Sequence, residues 1–124
     1  MQINVHGLNE ELAEQAIRFF CSELDINPAE ISIMADSTLS VNGMCFENET
    51  GDYLILVNTV KRNITQIFLT IAHELVHVKQ FMKENLARCF AEDNGKTPYK
   101  DRWWEKEAFE KETDLLKGFV KSIS

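Results

Sequence analysis

The chain has 124 residues, is 44% hydrophobic and carries a net charge of −7. That size suits one domain with a real core, and the acidic balance argues against binding to phosphate backbones, so no nucleic-acid partner is expected. No apolar run reaches the roughly 18 residues of a membrane span, and the opening MQINVHGLNEELAEQ lacks the basic start and long apolar run of a secretory leader.

Residues 9–24 place Leu12, Ala16, Phe19, Phe20 and Leu24 on one helical face, with Asn9 as N-cap. Asn27-Pro28 ends the segment. Residues 31–35 and 41–46 are short, partly β-branched and read as strands. ENETGD at 47–52 is a turn containing Gly51, and YLILVN at 53–58 is an apolar strand, so 41–46 and 53–58 form an antiparallel hairpin. Residues 63–84 carry the strongest helical pattern: Asn63 and Gln66 suit a capping box, and Ile64, Ile67, Phe68, Ile71, Leu75, Val78 and Met82 recur at helical spacing. Residues 92–98 form a loop, and a last helix spans 101–121 with Asp101 as its N-cap. The order predicts an α+β domain over 1–124, a small antiparallel or mixed sheet packed on helices.

Three cysteines, Cys21, Cys45 and Cys89, are odd in number and widely spaced. A disulfide framework is not expected, and a reducing, cytoplasmic location is. All three read as small apolar residues, Cys21 in the core.

The predicted helix 63–84 contains His73-Glu74-Leu75-Val76-His77, an HExxH motif. The i, i+4 spacing puts both imidazoles on one face, one turn apart, so both can reach one zinc ion at about 2.0–2.1 Å. Glu74 projects about 60° from His77 on an ideal helix, where it can reach a metal-activated water without ligating the metal. Gln66, Thr70, His73, His77 and Gln80 form a narrow polar track opposite the apolar stripe.

A catalytic zinc site takes a third protein ligand and leaves one position open. The HExxHxxGxxH pattern is absent, since Gln80 and Lys83 occupy those positions, and His6 lies far off at the N-terminus. A Glu of the last helix is the better source. Glu107, followed by small Ala108, lies about 60° from Trp104 on the wheel and is the expected ligand. Glu105 falls among apolar side chains, where a lone carboxylate is costly; it is the alternative ligand, or holds a histidine N–H. Glu110 with Asp114 is a third option, although Glu110, Glu112 and Asp114 read as a solvated face. Tyr99 and Arg102 are candidate donors to an oxyanion. Trp103 and Trp104 read as packing residues that could also wall the site.

HELVH followed about thirty residues later by WEKEA resembles the Glu-zincin metallopeptidases in reduced form. It is similar in particular to small phage and prophage metallopeptidases and, more distantly, to ImmA/IrrE-type proteases. The resemblance covers residues 53–120. It implies a minimal zincin-like fold, Zn2+ held by His73, His77 and Glu107, Glu74 as general base, and a peptide or protein substrate. It departs from those groups in several places: Ala-Phe-Glu follows Glu107, Lys stands at position 111, and no helix-turn-helix segment is evident. The expected function is zinc-dependent peptide hydrolysis. The alternatives are a metal-binding but non-catalytic regulatory or adaptor domain from a mobile element, and a metal-free interaction domain.

Overall fold

A computed structural model describes residues 1–48 and 51–124. The elements run β1 (Gln2–His6), α1 (Glu10–Glu23), β2 (Glu30–Ala35), β3 (Gly43–Glu47), β4 (Tyr53–Val57), α2 (Ile64–Lys83), α3 (Leu86–Asp93), a single 3-10 turn at Tyr99–Asp101, and α4 (Trp103–Ser122). The α+β expectation holds: one mixed sheet in the order β1-β2-β4-β3 packs with the helices. β1, β2 and β4 are parallel, and β3 joins β4 antiparallel at the edge. Among the described residues, no helix is long and apolar enough to cross a membrane.

The alternation of the strands fixes which sheet face carries the core. Ile31 and Ile33 of β2 and Tyr53, Ile55 and Val57 of β4 are buried. They meet Ile17 and Phe20 of α1, Ile71, Leu75 and Val78 of α2, and Leu115 and Phe119 of α4. Each such side chain contributes about 1.5–3 kcal/mol by leaving water. On the other face, Met34, Met44 and Phe46 are exposed and Leu54 and Leu56 half-buried.

The helix caps follow local chemistry. Asn9 accepts from the Leu12 amide at 3.0 Å. Asn63 and Gln66 form the reciprocal box, both bonds at 2.9 Å, which satisfies two donors at the start of α2. α2 then runs for 20 residues, apolar nearly all round because it lies under the sheet and against the other three helices. Its ends emerge: Ile64 and Met82, expected on the apolar stripe, are exposed.

Three differences from the expected elements stand out. β1 was not foreseen; it exists by pairing in parallel with β2, after α1 carries the chain across. α3 was not foreseen either. It buries Leu86 and sets Phe90 edge-on to Phe81 and Trp104, with centroids 5.7 and 5.4 Å apart. Asp101 does not cap α4: it closes the 3-10 turn, and Arg102 holds the N-cap position. The hairpin β3–β4 is present, while residues 49 and 50 of its predicted turn lie outside the described residues. All three cysteines are free thiols, with Cys21 buried.

Candidate metal centre

Helix α2 brings His73, Glu74 and His77 to the floor of a cleft of about 1160 Å³. One wall is the edge strand β3, another the start of α4. β3 comes close because residue 43 is glycine. A Cβ there would stand 2.5 Å from the Thr70 methyl and 3.1 Å from Glu74 Oε1, so any side chain would drive strand and helix apart. Ligand atoms of His73, Glu74 and His77 all lie within 4.8 Å of one another.

A second carboxylate comes from α4, and it is Glu105. Its Oε1 lies 2.9 Å from His73 Nε2 and 3.1 Å from His77 Nε2. Glu107, the residue expected there, is not brought to the histidines. Its carboxylate accepts from Lys79 Nζ at 3.1 Å and from Gln80 Nε2 at 3.0 Å. The physical reason is the crossing of α2 and α4. The first turn of α4 lays the Trp104 side chain into a buried position, which turns Glu105 to the polar track and Glu107 one step down α2. A wheel drawn on α4 alone lacks that rotation.

Both rear ring nitrogens are held. His73 Nδ1 is 2.8 Å from Glu112 Oε2, so Glu112 touches the site and is not part of a solvated face. His77 Nδ1 is 2.7 Å from Gln80 Oε1. Gln80 is fully buried, and its Nε2 donates to Trp104 O at 2.9 Å and to Glu107. An amide whose nitrogen faces a carbonyl and a carboxylate must turn its oxygen to the imidazole. His77 therefore carries a proton on Nδ1 and offers Nε2 to the cleft, the arrangement that suits a metal-ligating histidine.

The electrostatics separate the two central carboxylates. Burial by itself would raise the Glu105 carboxyl, but hydrogen bonds from His73 and His77 outweigh it and hold the group at about 2. It stays anionic, as a ligand should. Burial raises Glu74 above the usual carboxylate range; His77 and His73 pull it down, and Glu105 and Glu112 push it up. A carboxylate displaced upward is better matched to proton transfer near neutral pH. Burial lowers the pKa of both imidazoles, but hydrogen bonding to Glu105 and the charge of Glu74 lead the effects that bring them above their ordinary value.

The other expected groups divide. The Tyr99 hydroxyl donates to Glu105 Oε1 at 3.3 Å and faces the cleft. Arg102 turns away to Thr97 O at 3.0 Å, with its guanidinium 5.7 Å from the Tyr99 ring centre. Trp104 is buried, and Trp103 stands partly exposed against it. The Phe109 ring lies edge-on to His73 at 4.6 Å, walling the imidazole on the α4 side.

His73, Glu74 and His77 could hold a metal ion, Glu105 Oε1 lies within hydrogen-bond distance of both Nε2 atoms, and each imidazole is fixed from behind, as metal-ligating histidines commonly are. Compared with protein-family models, with curated proteins and with solved structures, the chain matches none.

Proposed function

We propose that this chain is a zinc-dependent peptidase of the Glu-zincin kind, with His73, His77 and Glu105 holding the metal and Glu74 acting as general base. The observation that carries the reading is the approach of Glu105 Oε1 to both Nε2 atoms, with buried Glu74 beside them under an open sheet edge. A lone structural cation needs no base and no cleft.

A zinc ion in that position supplies Lewis acidity, which makes water easier to deprotonate and a carbonyl easier to attack. Glu74 takes the water proton on its carboxylate while the water oxygen bonds to the carbonyl carbon. The C–N bond breaks, and Glu74 returns the proton to the leaving amine. β3 supports substrate binding, since among the described residues no strand lies beside its outer edge. An extended peptide can add there through backbone hydrogen bonds. Tyr99 is placed to donate to an oxyanion at the cleft wall.

The test is metal content together with hydrolysis of a broad peptide pool, with Glu74→Gln as control. About one zinc per chain and cleavage abolished by Glu74→Gln are expected. Zinc bound with no cleavage by the wild type would favour the regulatory alternative, and no zinc at all would overturn the metal site.

A further inference from the structure

The cleft is polarised along its length, and the two ends differ in chemistry. Tyr53, paired with Glu47 across β3–β4, has its ring centre 6.0 Å from that of Phe81, while Gly43 faces Thr70 and Glu74. β3 therefore runs in the same direction as α2. Its Glu47 end is aromatic, with Phe46, Phe81 and Phe90 in the lining; its Gly43 end is polar, with Asn42, Asn58 and Arg62.

Among the described residues lining the cleft, Arg62 is the one Lys or Arg. Its terminal nitrogens donate to four neutral oxygens: Asn58 O at 2.7 Å, Asn42 O at 3.4 Å, Gln66 O at 2.9 Å and Thr70 Oγ1 at 2.6 Å. These bonds fix the guanidinium in place, and among the described residues no carboxylate is bonded to it. The acids of the lining, Glu74, Glu105 and Glu112, are gathered around the histidines instead. A fixed cation in a partly dried groove attracts anions well beyond hydrogen-bond range.

The position of Arg62 sets where the anion would lie. It bonds Thr70, four residues before Glu74 and so about 6 Å along α2. An extended peptide advances about 3.3 Å per residue, so that distance is one to two residues from the reacting bond. A strand added to β3 pairs more stably when antiparallel. It then enters at the aromatic end and leaves past Arg62. We propose that Arg62 is a specificity residue selecting peptides with a carboxylate one or two residues after the scissile bond. That carboxylate belongs to an Asp or Glu side chain or to a free C-terminus. This inference rests on the peptidase reading and names its substrate class.

The experiment uses zinc-loaded full-length protein. Cleavage sites in a randomised peptide pool are read by mass spectrometry, for wild type and Arg62→Gln. In parallel, fluorescence anisotropy measures binding to Glu74→Gln of labelled heptapeptides that differ only in Asp or Asn two residues after a phenylalanine. A further pair has a free or an amidated C-terminus at that position. The wild type should cut acidic sites on the order of fivefold to tenfold faster than amide-matched sites, with the preference fading as salt rises. Arg62→Gln should abolish the preference. The heptapeptide pairs tell a side-chain carboxylate from a terminal one. Equal cleavage and equal binding of acidic and neutral peptides by protein carrying Arg62 would overturn the proposal, whatever Arg62→Gln does to folding. If no peptide is cut at all, the peptidase reading fails, and the binding comparison still decides the role of Arg62.

Discussion

Glu105 and Glu107 stand two residues apart on α4 and do different work, which makes them a sharp pair of variants. A four-ligand structural zinc site is worth about 10–16 kcal/mol. One ligand then carries about 3–4 kcal/mol, or two to three decades in Kd. Glu105→Gln replaces the anion facing both Nε2 atoms with a neutral amide and should weaken zinc by about that much. Glu107→Gln removes an ion pair with Lys79 whose side chains are 14% and 24% exposed. Lys79 keeps its pairing with Glu84, so this change should cost about 1 kcal/mol of stability or less and shift zinc Kd by less than about fivefold. Competition against a chromophoric chelator gives both affinities, and circular dichroism checks that each variant is folded. Loss of zinc on Glu107→Gln, with Glu105→Gln near wild type, would refute the assignment and return the site to the arrangement expected from the sequence.

Glu74→Gln should keep zinc within about tenfold and lose hydrolysis by on the order of 10²–10⁴, as expected for removal of a general base; chelator competition and single-turnover cleavage separate the two effects. Glu112→Gln should weaken zinc by about 10–100-fold through the freed His73 ring, and Glu112→Asp should recover less than wild type because the shorter arm lengthens the 2.8 Å contact. Outside the cleft lining, the Asp93 carboxyl is held below its ordinary value, first by the Thr97 hydroxyl and then by the Thr97 amide. Its contribution is therefore present above the unfolded value near 3.8 and lost as pH falls through the folded one. Protection of the Thr97 amide relative to its intrinsic exchange rate, followed by NMR between about pH 5 and 2, should fall at the acid end, and Asp93→Asn should remove that change in protection.

Much of the fold is legible in local patterning, because α1, α2 and the strand Tyr53–Val57 each state their own burial. The capping box at Asn63 and the cap at Asn9 are local chemistry and are read directly. β1 is not, since Gln2-Ile3-Asn4-Val5-His6 alternates over only five residues and becomes a strand through its partner. α3 shows little periodicity because it buries a single residue, Leu86. In the site, His73, Glu74 and His77 follow from spacing within one helix. Glu105 and Glu112 do not, since their roles depend on how α4 is rotated against α2. One signal was available: Glu105 sits among apolar positions on the α4 wheel, and a carboxylate in such a place needs partners. The two imidazoles supply them.

The site also has a mechanical consequence. His77 and Glu105 are 28 positions apart, and the chain between them includes α3 and the turn at Tyr99–Asp101. Apart from Leu86, residues 85–103 are mostly exposed. A cation gripped from both sides is a staple across the base of that excursion. At a thousandfold excess over Kd it would stabilise the folded chain by about 4 kcal/mol. Stripping it with a chelator should lower Tm, and limited digestion by an added protease should then begin between residues 84 and 102. The ion that would equip this chain to cut peptides would also shield its own most exposed stretch from being cut.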